Sequence, residues 1–157
     1  MITLITGPLC SGKSTYIRAL VDVNKAAGVP TLVLELDRIG HEVLRELRGN
    51  DVDRSALAEK VFADPLRLRQ LEAELHPRIM LIAHERAATF LASNPDGVVL
   101  IEAALPLDEG EYIWLMGVNR IVLKAPTVVR RARALERGMS REQFELRDRI
   151  QQGYRYE

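Results

Sequence analysis

Apolar residues in this chain fall in four short continuous runs, and between the runs they recur at helical spacing. Residues 2–6 (ITLIT), 31–36 (TLVLEL) and 98–102 (VVLIE) are aliphatic or β-branched and uncharged until their ends, and 120–124 (RIVLK) is a shorter run of the same kind. Continuous rather than alternating apolar character predicts strands buried on both faces. Residues 11–27 predict a helix with Ile17, Leu20 and Val21 turned to the core, stopped by Gly28 and Pro30. A second helix runs over 37–47 and is broken by RGND. Residues 53–93 read as helical with punctuation: Asp53 caps a segment through Leu57 and Val61, and Asp64-Pro65 and His76-Pro77 each place a proline in a first helical turn. In the last of these segments Ile79, Ile82, Ala83, Ala87, Phe90 and Leu91 form one stripe. SNPDG (93–97) is a turn, and 126–152 is helical with a break at GMS (138–140). Strands alternating with helices predict an α/β fold, a parallel sheet flanked by helices that binds ligands at the carboxyl ends of its strands.

Composition narrows the field. The chain has 157 residues, room for a single domain over 1–157. Its 22 basic and 22 acidic residues cancel, so no net field recruits nucleic acid or a membrane surface. Few aromatics and the lone Trp114 offer no stacking platform for single strands. Cys10 has no partner for a disulfide, and no N-terminal signal or membrane-length apolar run is present, so the expected location is the cytoplasm. His41, His76 and His84 lack zinc-ligand spacing.

The candidate chemistry begins directly after the first strand. In TGPLCSGKST (6–15), Gly7, Gly12, Lys13 and Ser14 satisfy G-x-x-x-x-G-K-[ST]. A backbone curled there aims successive N–H groups inward at a phosphate chain, and glycines permit the angles and the close approach. The helix that follows adds its N-terminal dipole. The predicted ATP-binding set is Gly7, Leu9, Cys10, Ser11, Gly12, Lys13, Ser14 and Thr15, with Lys13 on the phosphates and Ser14 on Mg²⁺. Cys10 fills a variable position. Glu102 closes an apolar strand, where a carboxylate can hold Mg²⁺ through water. Asp37, just past the second strand, either orients a substrate hydroxyl and accepts its proton or caps the next helix. Arg130, Arg133 and Arg137 share one helical face, and 126–155 holds eight arginines against four acids. Such a face either neutralises transferring phosphate or is a solvated surface of Arg–Glu pairs.

VDRSALAEKVFADPLRLRQLEAELHPRI (52–79) resembles the signature segment of dephospho-CoA kinases, with its D-R start, V-F-x-D-P centre and L-H-P end. ELDRIGHEVL (35–44) is similar to the D-x-D stretch of that family, with Glu35 replacing the first acid. APTVVRRARALERGMSREQ (125–143) resembles its lid, where Arg133 and Arg137 match and Arg130 replaces a glutamine; Gln151 matches a later glutamine. The resemblance covers residues 1–151. It implies a three-layer P-loop fold with a helical acceptor-binding region over about 37–93 and an arginine-rich lid over about 126–143. It also implies transfer of the γ-phosphate of ATP, with Mg²⁺, to the ribose 3′-hydroxyl of dephospho-CoA. Asp37 would then be the base, Lys13, Arg133 and Arg137 the other catalytic groups, and Arg54 and His76 substrate-binding residues. Three stretches differ from the family: a short 45–51 connection, ALPLD (104–108) for P-L-L-[FY]-E, and an end at Glu157 where the family continues into a further strand and an adenine-side loop. These differences leave two rivals, a kinase of another small acceptor such as a nucleoside monophosphate, and a nucleotide-binding protein without catalysis. Oligomeric state is not legible.

Overall fold

The computed structural model describes residues 1–48, 64–104 and 112–153. Along the chain come β1 (Ile2–Thr6), α1 (Lys13–Ala26), β2 (Thr31–Glu35), α2 (Leu36–Arg48) and α3 (Pro65–Ser93). Then follow β3 (Val98–Ala103), a 3₁₀ turn (Ile113–Leu115), β4 (Asn119–Val122), α4 (Thr127–Glu136) and α5 (Arg141–Gln152). The four strands form one sheet in the order β2-β3-β1-β4, and every pairing is parallel. All carboxyl ends therefore open on one edge, and β1, which leads into the glycine loop, is flanked by β3 and β4.

Side-chain alternation along the strands divides the core in two. Leu4, Leu34, Val99 and Ile101 meet Leu36, Ile39 and Val43 of α2 and Met80, Ala83 and Ala87 of α3 on one face. Ile5, Val98 and Leu100 meet Ile17 of α1 on the other. Leu4, Ile5, Val99 and Ile101 are fully buried; each such side chain contributes about 1.5–3 kcal/mol through the area it removes from water. The layering is α/β/α, as the apolar runs predict. Among the described residues no helix is long and apolar enough to cross a membrane.

Three local expectations change. Strand β2 ends at Glu35, and Leu36, expected to close it, opens α2 directly, because its side chain is buried among the helices of the first face. The first helix begins at Lys13, not Ser11, since residues 7–12 are spent on the loop. Pro77 does not start a helix. It lies inside the unbroken α3, whose stripe through Leu75, Ile79, Met80, Ala83 and Ala87 packs on the first face on both sides of it. That packing offsets the backbone bond Pro77 cannot donate. The predicted break at 138–140 is present, and Ser140 and Gln143 form a capping box that starts α5.

Candidate active site

Thr6 hands the chain to a bend that only glycine can make. Gly7 has φ +147, and a Cβ there would lie 2.2 Å from the carbonyl oxygen of Leu123, which follows β4 and donates its own N–H to Thr6 O. Cys10 and Gly12 also have positive φ, +59 and +105, so the backbone turns twice before α1 begins. Lys13 is buried, and its Nζ donates to Gly7 O at 2.7 Å and Pro8 O at 3.1 Å. Burial pulls the ammonium pKa below its ordinary value, while the charges of Glu102 and Asp37 act in the other direction.

Strand alternation places the carboxylates. Glu102 pairs in register with Glu35 of β2 and Ile5 of β1 and points to the α1 face, like Leu100 and Val98. There its Oε1 accepts a hydrogen bond from Ser14 Oγ at 3.1 Å. Burial raises the Glu102 pKa; the Ser14 hydrogen bond and the Lys13 charge lower it, and burial wins. Ala103, one residue on, faces the α2–α3 side.

Two cavities result. One, of about 230 Å³, is lined by the glycine loop from Leu9 to Ser14, by Glu35, Asp37 and Glu102, and by Arg137 and Gln151. The other, of about 280 Å³, lies between α2 and α3, with Leu36, Leu44, Leu71, Leu75 and Ile79 as its apolar wall and His41 and His76 as its polar groups. Asp37 and Ala104 belong to both. Asp37 is exposed in the first turn of α2, where a negative side chain also suits the helix dipole.

Helices α4 and α5 cover the glycine loop. Arg133 donates to Cys10 O at 3.1 Å, and Arg137 lies 3.9 Å from Cys10 Sγ. Arg130 shares their helical face but turns elsewhere, into a buried ion pair with Asp148 at 2.6 Å. Gln151 Oε1 accepts the Leu9 N–H at 2.7 Å.

The predicted residues therefore divide. Leu9, Cys10, Ser11, Gly12, Lys13, Ser14, Asp37, Glu102 and Arg137 line one cavity, Gly7 shapes its floor, and Arg133 braces its wall. Thr15 lies outside it, exposed as the third residue of α1, where its hydroxyl accepts from Arg18 at 3.4 Å. His76 lines the apolar cavity, held through Nδ1 by the Tyr112 hydroxyl at 2.8 Å. Arg54 lies outside the described residues, as does the whole 52–63 part of the signature segment. Asp148 and Tyr112 were not foreseen. Each is remote in sequence from its partner and belongs to no motif.

A family model for dephospho-CoA kinase matches residues 1–155. The dephospho-CoA kinase of Thermus thermophilus is similar at 35% identity over 160 residues, 94% of this chain and 73% of that protein. That of Cereibacter sphaeroides is 41% identical over 100 residues, 63% of this chain and 48% of its own length. The crystal structure of TT1252 from Thermus thermophilus matches with a TM-score of 0.67 at 35% identity, covering 96% of this chain and 80% of that one. A phosphate-loop α/β fold matched over nearly its full length, in sequence and in backbone, makes this chain a member of the dephospho-CoA kinase family.

Proposed function

We propose that the protein transfers the γ-phosphate of ATP to the ribose 3′-hydroxyl of dephospho-CoA. One observation carries the reading within the family: a polar cavity on the glycine loop and an apolar cavity between α2 and α3 meet at Asp37. The first takes the phosphates of ATP. The second, with its leucine wall and two histidines, takes a nucleotide-bearing acceptor and brings its hydroxyl to the shared carboxylate.

In the reaction the 3′-oxygen bonds to the γ-phosphorus, the bond from that phosphorus to the β–γ bridging oxygen breaks, and the hydroxyl proton passes to Asp37. Lys13 exchanges the Gly7 and Pro8 carbonyls for phosphate oxygens as ATP enters. Arg133 and Arg137 sit where charge accumulates on the transferring group. The paired oxygens of Ser14 and Glu102 are hard donors that suit Mg²⁺. Bound there, Mg²⁺ would offset phosphate charge.

A coupled ADP-release assay tests the proposal, with ATP and either dephospho-CoA or a set of nucleoside monophosphates as acceptor. Turnover is expected with dephospho-CoA. Turnover with a monophosphate alone, or ATP binding without transfer to any acceptor, overturns it.

A further inference from the structure

Both backbone groups of Leu9 are held by side chains from the two helices that follow β4. Its N–H donates to Gln151 Oε1 at 2.7 Å, and its carbonyl accepts Arg130 NH1 at 3.3 Å. The same NH1 donates to Asp148 Oδ1 at 2.6 Å, while Nε and NH2 reach Ala125 O and Thr127 Oγ1, each at 3.1 Å. Asp148 Oδ2 in turn accepts from Gln152 at 3.1 Å, and the Phe144 ring lies 5.7 Å from the guanidinium carbon. Every arm of Arg130 is thus committed, and both members of the ion pair are buried.

A buried ion pair is weak evidence for stability, since apolar replacements of similar size often serve as well. What it supplies here is direction. The planar fork locked on Asp148 leaves one N–H aimed at Leu9 O, one peptide before the amides that cradle phosphate. With Gln151 on the other side, each of the two peptide planes that flank Leu9 is held by a side chain. The lock also keeps Arg130 out of the polar cavity, which Lys13 and Arg137 line while Arg133 braces the Cys10 carbonyl.

We infer that Arg130, Asp148 and Gln151 are positioning residues that set the orientation of the phosphate loop through Leu9, and thereby the affinity for the nucleotide phosphates. The inference rests on the reading of the glycine loop as a phosphate seat, not on the identity of the acceptor.

The test compares ADP affinity by titration calorimetry, steady-state KM for both substrates, and melting temperature in two variants. Asp148→Asn removes the charge that fixes Arg130. The double variant Arg130→Met with Asp148→Leu replaces the pair by an apolar contact that keeps the packing. ADP Kd and the KM for ATP are expected to rise about tenfold or more in both variants, the scale set by small misplacements of binding groups. The KM for dephospho-CoA should stay within about twofold, since the acceptor cavity shares no wall with the pair. If Asp148→Asn fails to fold, the double variant decides alone. Recovery of both melting temperature and ADP affinity in the double variant would reduce the pair to a structural element and overturn the inference. Unchanged ADP affinity in a folded Asp148→Asn does the same. Wild-type protein that binds no ADP would defeat the phosphate-seat reading itself.

Discussion

Lys13 and Glu102 are neighbours whose burial acts on them in opposite protonation senses. Burial lowers the Lys13 pKa from the ordinary 10.5, so in the window below 10.5 the unfolded chain binds the proton more readily than the folded one, and stability rises with pH there. Burial raises the Glu102 pKa from the ordinary 4.5, so above 4.5 the folded state is the better proton binder and stability falls as pH rises through that window. In urea melts of ligand-free protein, Glu102→Gln should therefore gain on the wild type as pH rises above 4.5. Lys13→Met should lose ground to it as pH rises towards 10.5. Parallel curves for wild type and variant would contradict either assignment. At Asp37 the expected outcome is kinetic. Asp37→Asn should lower kcat by about 10²–10⁴ as a lost general base and leave ADP affinity in calorimetry near the wild-type value. Equal losses in kcat and in ADP affinity would make Asp37 part of the phosphate seat instead.

Helix α3 shows where reading by residue pattern stops. Proline after a capping-type residue is a sound start signal, and at Pro65 it holds. At Pro77 it fails because Met80, Ala83 and Ala87 on one side and Leu75 on the other must all lie on the same sheet face. Satisfying them keeps the axis continuous. Pro77→Ala restores a helical N–H and should raise stability, by about 1–3 kcal/mol in chemical denaturation; a loss would mean that the proline shapes the helix beside His76. The bend of the glycine loop, by contrast, was legible apart from its boundary with α1, because its motif needs contiguous residues. The strands were legible to within one or two residues. The Arg130–Asp148 pair, the Gln151–Leu9 contact and the Tyr112–His76 contact are 18, 142 and 36 residues apart in sequence. Helical spacing put Arg130 on one face with Arg133 and Arg137, but tertiary contacts turned it to Asp148.

Over the whole molecule, the sheet separates the polar cavity from the apolar one by side-chain parity. Glu102 faces the helix that begins at the phosphate loop, and Ala103 faces the helices that enclose the apolar cavity. Among the described residues the two volumes share Asp37 and Ala104 alone in their linings, so each should be adjustable without the other. Leu44→Trp, which fills the apolar cavity from α2, should raise the KM for dephospho-CoA about tenfold or more by overpacking. ADP affinity measured by calorimetry should stay within about twofold of the wild type. Coupled changes would show that the cavities act as one.

Gly7 has a further consequence. The strand beside it presses a carbonyl into the space where any side chain would begin, so evolution cannot retune that bend at the bend itself. Nor can protein engineering. A chain of this kind can vary the loop only at its other positions, or through the distant arms that grip it.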